Sequence, residues 1–296
     1  MKTKKKKIQG FDVLIWIITL VLLAIVLYPL LYVISCSVSD PILVSSGRVF
    51  LLPRGFTLAG YIRVFQDSNI MTGYLNTIFY TVLGTMINLA VTLPAGYVLS
   101  KTTAEVPGNR FFMFLFMFIM YFSGGMIPTF LVVKGLGLYD TRTVLLILGA
   151  FNTYNCIICR SFFAALPKEL EEAACIDGSS VLNTFFQIVL PLSRALLGVM
   201  VLYFAVGHWN SYFNAIIYLN DTEKYPLQLF LRKILVQEQS SADMMDGADE
   251  YLASKQQLAA LIKYAVIVVS SLPLMIVYPF LQKFFDKGVL IGSVKG

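Results

Sequence analysis

Long apolar runs alternate with short polar interruptions along this chain, and the runs set its architecture. A hydrocarbon layer of about 30 Å takes about 20 helical residues to cross. Six runs meet that measure, at 11–36, 72–100, 111–133, 143–163, 192–219 and 259–284. No segment alternates apolar and polar residues as a barrel strand would, and backbone in lipid has to satisfy its own hydrogen bonds. The pattern predicts an all-α membrane protein with six transmembrane helices, a single transmembrane domain over 11–296 behind a basic segment at 1–10.

The polar interruptions carry the finer information. In 166–191, LPKELEEAACIDGSSVLNTFFQIVLP, Pro167 suits a first helical turn, and Glu169, Glu171 and Glu172 suit the positive end of a helix dipole. Asp177-Gly178 supplies a stop. A second helix is then expected from a Ser179 or Ser180 cap through Phe185, Phe186 and Ile188, halted before Pro191. The outer segment 37–71, with Pro41, Gly47, Pro53 and Gly55 among apolar residues, is expected to lie back on the membrane surface. The outer loop 220–258 joins an apolar-periodic piece, PLQLFLRKILV, to an acidic one whose Asp243, Asp246 and Asp249 lack the spacing of a calcium loop and suit a solvated stretch.

Composition agrees with the runs: 57% of the 296 residues are hydrophobic, 14% are charged and the mean hydropathy is +0.74. A net charge of +6 would suggest nucleic acid in a soluble protein, but five lysines are packed into residues 2 to 7, directly before an apolar run. The positive-inside rule explains them, places both termini in the cytoplasm and leaves no call for a nucleic-acid partner. The run from Phe11 to Ile34 is too long for a signal-peptide core and no small-x-small site closes it, so an uncleaved anchor in a bacterial inner, or cytoplasmic, membrane is expected. Cys36, Cys156, Cys159 and Cys175 lie in or beside apolar runs and are expected to be reduced and buried; no second pair or nearby histidine turns Cys156-x-x-Cys159 into a metal site.

The residues offer no catalytic constellation. His208 has no acidic partner in its own span, and there is no H-E-x-x-H, no G-x-S-x-G and no phosphate loop, so no enzyme activity or cofactor is expected in this chain. The spans between 72 and 219 carry no carboxylate, against the usual mark of ion-driven transport. They carry neutral groups instead: Asn76, Asn88, Asn152, Asn155 and the run His208-Trp209-Asn210-Ser211-Tyr212-Phe213-Asn214. On a continuous helix, Asn210 and Asn214 share one face and His208 and Tyr212 another. Two readings stand for Trp209, Asn210, Tyr212, Asn214 and Asn155: helix-to-helix packing, or a path for an uncharged, hydroxyl-rich ligand such as a sugar. Lys263, near the outer end of the last run, suits snorkelling toward the interface.

Glu172-Ala173-Ala174, Gly178 and Ile188-x-Leu190-Pro191 reproduce the pattern E-A-A-x-x-x-G-x(9)-I-x-L-P, so the segment resembles the EAA loop of ABC importer permeases. YPLLYVISCSVSDP from Tyr28, SGGMIPTFLVVKGLGLYDT from Ser123, Trp209-Asn210 and the ending YPFLQKFFDKGVLIGSVKG resemble the carbohydrate-importer branch that includes the maltose permease, and within it the LplC-like polysaccharide-type permeases. Ala195 departs from the branch, which often has a proline there. The resemblance implies a type I permease fold that moves an oligosaccharide inward by alternating access. The implied partners are a second, homologous permease, two ATP-binding subunits that hold ATP and magnesium, an external solute-binding lipoprotein and the surrounding lipid. It also implies that Leu170, Glu172, Ala173, Ala174, Ile176, Asp177 and Gly178 form a coupling helix docked on an ATPase, with Gly292 and Lys295 of the tail reaching toward the same subunits; a frayed terminus is the other reading of that tail. From the residues alone, a stand-alone channel or ion-coupled carrier is the alternative.

Overall fold

The computed structural model describes residues 10–243, 262–279 and 282, with helices and no strand among them. The lysines of 2–7, the acidic stretch beyond Asp243, Lys283, Lys287 and the tail residues Gly292 and Lys295 lie outside the described residues. Two compact units divide the chain, one of residues 1–68 and 231–271, the other of 69–230 and 272–296.

In the first unit, α1 (Gly10–Ser37) is apolar on all sides, as the first run requires, and only its last turn, Ser35 to Ser37, is buried. The outer segment that follows is more folded than a surface strip. Asp40 Oδ1 accepts from the Ile42 amide at 2.8 Å and caps α2 (Pro41–Ser45), and α3 (Ala59–Gln66) comes next. Ser39 ties the loop by donating to Ser35 O (2.6 Å) and accepting from the Arg54 amide (3.0 Å). Cys36, Val44 and Val49 form a small core against Tyr32, whose ring meets Tyr264 edge-on at 6.1 Å. Phe50, Leu52 and Phe56 remain exposed, as apolar residues of a segment lying on the membrane surface would.

In the second unit, α4 (Ser68–Ser100) is one unbroken helix of 33 residues. The next two runs are not continuous helices. The third divides into α5 (Asn109–Tyr121) and α6 (Met126–Gly135), which meet at 112°. Gly124-Gly125 makes that reversal, with Gly125 at φ 84°, a conformation that costs glycine nothing. The fourth divides into α7 (Arg142–Leu148) and α8 (Thr153–Ala164), bent by 47°, where Asn152 caps α8 by accepting from the Asn155 amide at 3.0 Å. Counting each bent pair as one span gives up to six spans.

The surface segment also differs from expectation after its first helix. α9 (Glu169–Ile176) starts two residues beyond Pro167, and α10 (Val181–Leu192) runs on through Pro191. A π-helical turn over Phe185–Val189 explains the continuation: the Leu190 amide bonds Phe185 O, a wider register that absorbs the hydrogen bond a proline cannot make. The chain then turns by 85° at Ser193 into α11 (Arg194–Trp209), with Ala195 helical at its start. α12 (Phe213–Tyr218) and α13 (Leu227–Asp243) follow, and α14 (Ile262–Pro279) is the described part of the last run. Leu93, Tyr97, Phe163, Phe185, Val189 and Met200 make a core where α4, α8, α10 and α11 meet.

Candidate functional site

The three glutamates of α9 lie in its first turn, where the helix dipole favours them. Its end is a Schellman closure: the Gly178 amide bonds Cys175 O at 3.0 Å and the Ser179 amide bonds Ala174 O at 2.9 Å, with Gly178 at φ 77°. Ser180 then caps α10 through the Asn183 amide (3.3 Å). Helical spacing sorts the expected coupling residues onto two faces. Leu170, Ala173 and Ile176 are exposed at intervals of three, Ile176 to 87%, with Glu172, Asp177 and Gly178 exposed beside them. Ala174 is buried against the unit. Cys175 is exposed on the same helix while Cys36, Cys156 and Cys159 are buried, which corrects the expectation for one cysteine of four; its place on a surface helix is the reason.

Glu171, one residue before the motif, faces inward. Its Oε2 pairs with Lys101 Nζ and accepts from Tyr97 OH at 3.1 Å, and Lys101 Nζ also lies 4.3 Å from the centre of the Tyr97 ring. Burial alone would lower the Lys101 amine, but Glu171 and Tyr97 outweigh it and hold it above the ordinary lysine range. The Tyr97 ring packs between Phe163 (5.9 Å) and Phe185 (5.0 Å), so this joint is rooted in the core. The last carbonyls of α4 are closed by side chains: Leu99 O accepts from Arg160 Nε (3.2 Å) and Asn109 Nδ2 (3.3 Å). A cleft of about 60 Å³ opens beside Lys101, Glu171 and Glu172, with Ser100, Glu105 and Lys168 also on its wall.

Within the membrane-spanning part, Thr77, Thr81, Thr85, Asn88 and Thr92 follow one another at intervals of three or four and form a polar seam on one face of α4. The sequence reading picked out Asn88 and passed over the threonines, although the spacing was there to be read. Asn88 joins three spans, since Nδ2 donates to Gly149 O at the break between α7 and α8, and Oδ1 accepts from His208 Nε2 (2.7 Å) on α11.

The residues put forward for a sugar path are not brought onto common helix faces. α11 stops at Trp209, and Asn210 closes it by donating from Nδ2 to Val206 O at 3.0 Å, the backbone competition to which asparagine is prone. Asn214 begins again on α12, so Asn210 and Asn214 do not share a helix, nor do His208 and Tyr212. Trp209 is buried edge-on against Tyr74 at 5.8 Å and Asn155 is buried in α8, whereas Asn210 and Tyr212 are exposed and Asn214 is half-buried.

The sequence over 69–291 matches the family of binding-protein-dependent transport system inner membrane components. The chain belongs to that family. The protein LplC of Bacillus subtilis is 43% identical over 273 residues, which cover 92% of this chain and 90% of LplC. The polygalacturonan/rhamnogalacturonan transport system permease protein YtcP of the same organism is 42% identical over 286 residues, 97% of this chain and 98% of YtcP. In the crystal structure of a bacterial ABC transporter involved in the import of the acidic polysaccharide alginate, one chain superposes with a TM-score of 0.83 at 36% identity, covering 96% of this chain and all of that one. This chain is therefore a multi-pass membrane permease component of a sugar ABC transporter with a type I permease fold, and not an enzyme.

Proposed function

We propose that this permease carries an oligosaccharide inward by alternating access, driven by two ATPase subunits that hold the ATP and magnesium, one of them docked on α9. A second permease completes the pathway, an external binding lipoprotein delivers the sugar, and both termini are cytoplasmic. The observation that supports docking is the exposed face of α9, where Leu170, Ala173 and Ile176 stand out from a helix otherwise fixed at both ends. Ala173 lets a partner backbone approach, Ile176 and Leu170 offer apolar knobs, and Glu172 and Asp177 offer charged contacts at their edge. The names of YtcP and of the alginate importer point to uronate-rich oligosaccharides as the class. The described spans between 72 and 219 supply no carboxylate to repel such an anion.

Uptake in the assembled transporter tests the reading. Glu172→Lys, which reverses a contact charge, and Gly178→Pro, which breaks the Schellman turn, are each expected to abolish sugar uptake and sugar-stimulated ATP hydrolysis while the subunit still reaches the membrane. Normal coupled activity in both variants refutes docking through α9.

A further inference from the structure

α9 is connected through the chain to α8 on one side and to α10 and α11 on the other. It is not a sequence neighbour of α4, the longest described helix of its unit and the one that carries the polar seam. The link is made by side chains. Glu171 leaves the inner face of α9 and meets Lys101 and Tyr97 at the end of α4, 70 residues earlier in the chain. The Lys101 and Glu171 side chains are only 17% and 26% exposed, so the pair is shielded from the solvent that makes most surface ion pairs weak. Tyr97 is 5% exposed and wedged between two phenylalanines, which leaves its hydroxyl little freedom to follow Glu171 without the helix behind it.

We propose that Tyr97, Lys101 and Glu171 form a pin that makes α4 move with the coupling helix. Glu171 is then a positioning residue on the inward face of α9, opposite the docking face, and it transmits displacement without touching the ATPase. The proposal rests on the coupling reading above. It adds that motion reaches the seam-bearing span directly, in parallel with the routes through α8 and α11. A charge pair can be reversed and still hold, whereas a purely steric wedge cannot, so charge exchange distinguishes the two.

The experiment uses the complete transporter, purified with its ATPase subunits and reconstituted in proteoliposomes with binding protein and oligogalacturonate as the sugar probe. Sugar transported per ATP hydrolysed is the readout, because a general loss of folded protein lowers both quantities together. Glu171→Gln and Lys101→Met are each expected to lower that ratio about tenfold with the ATPases still co-purifying, and the exchange Lys101→Glu with Glu171→Lys to restore it to within about threefold of wild type. Tyr97→Phe, which removes one hydroxyl and keeps the ring, is expected to give a smaller fall. The pin is overturned if either single variant keeps the ratio within about twofold of wild type, if the exchange is no better than the single variants, or if the single variants shed the ATPases, which makes the pair part of docking. Wild-type preparations that carry no ATPase at all overturn the coupling reading itself and the pin with it, and that result is distinct from the other three.

Discussion

Gly84 and His208 share one small volume. A β-carbon on Gly84 would stand 2.5 Å from the His208 ring, and one on Gly149 would stand 3.0 Å from the same ring. The imidazole cannot retreat without giving up Asn88. Gly84→Ala is therefore expected to destabilise the purified complex by about 1–3 kcal/mol, the usual cost of overpacking, seen as a lower thermal midpoint of aggregation in detergent. His208→Ala in the same chain removes the obstacle, so the double variant is expected to lose less than the two single losses together; additive losses count against the crowding. Gly178 and Gly84 also show what a sequence displays at this scale. The first follows Asp177 at the end of a helical pattern and announces a turn. The second sits in the middle of an apolar run, and its reason is a ring 124 positions later in the chain. Glu171 belongs with the second kind: its charge was visible as helix-end decoration, its partners 70 residues away were not.

Hydropathy placed the outer limits of the first four runs within a few residues, because burial in lipid is a property of the run as a whole. The fifth, expected over 192–219, instead ends as a helix at Trp209 and pairs with the bent segment Val181–Leu192 before it. Hydropathy missed the breaks inside the runs. Gly124-Gly125 and Asn152 interrupt stretches whose average stays apolar, and a window of about 20 residues smooths such local punctuation away. The end of α11 at Asn210 was missed for the same reason. The connections between α6 and α7 and between α12 and α13 depend on an element that no average detects, a clasp centred on Asp140, which sits at φ 56° between α6 and α7. Its Oδ1 accepts from the Asn220 and Asp221 amides, each at 3.1 Å, and its own carbonyl accepts from Lys224 Nζ at 2.6 Å. The loop beyond is held to α4 by Asn76 Nδ2, which donates to Tyr225 O at 3.1 Å, while Arg142 reaches Asn76 Oδ1 at 3.1 Å. The amides of Asp221 and Asn220 hold the Asp140 carboxyl below its ordinary range. A depressed carboxyl stabilises the folded form above its free value of about 3.9 and loses that contribution as pH falls through the lowered one. Protection of the 220–224 amides, taken relative to their intrinsic exchange at each pH, is expected to fall below about pH 4, and Asp140→Asn to lower it to a level that no longer changes with pH there. Protection that stays level down to pH 2 in the wild-type protein refutes the clasp.

At the level of the whole molecule, family membership was legible because the EAA pattern and the tail carry many residues at fixed spacing, while the sugar contacts were not, because they were inferred from polarity on a helix that turns out to end. That ending separates two asparagines that once stood together. Asn210 spends its side chain on Val206 O, so Asn210→Leu is expected to slow transport without changing which sugar is preferred, through a loosened helix end. Asn214, half-buried and free of that duty, is the better test of a sugar contact: Asn214→Leu is expected to shift the concentration for half-maximal uptake, and unchanged uptake kinetics assign it to packing. The unbroken length of α4 has one more consequence. Asn76 in the polar cluster near its start and Tyr97 in the one near its end are 21 residues apart, a rise of about 32 Å, close to the thickness of a bilayer's hydrocarbon layer. Both clusters are bolted to other elements, so neither end of the helix can slide to suit a thinner or thicker bilayer. Acyl-chain length in the host membrane becomes a mechanical variable for this permease: tilt of α4, or deformation of the lipid around it, has to absorb any mismatch that the two polar ends refuse.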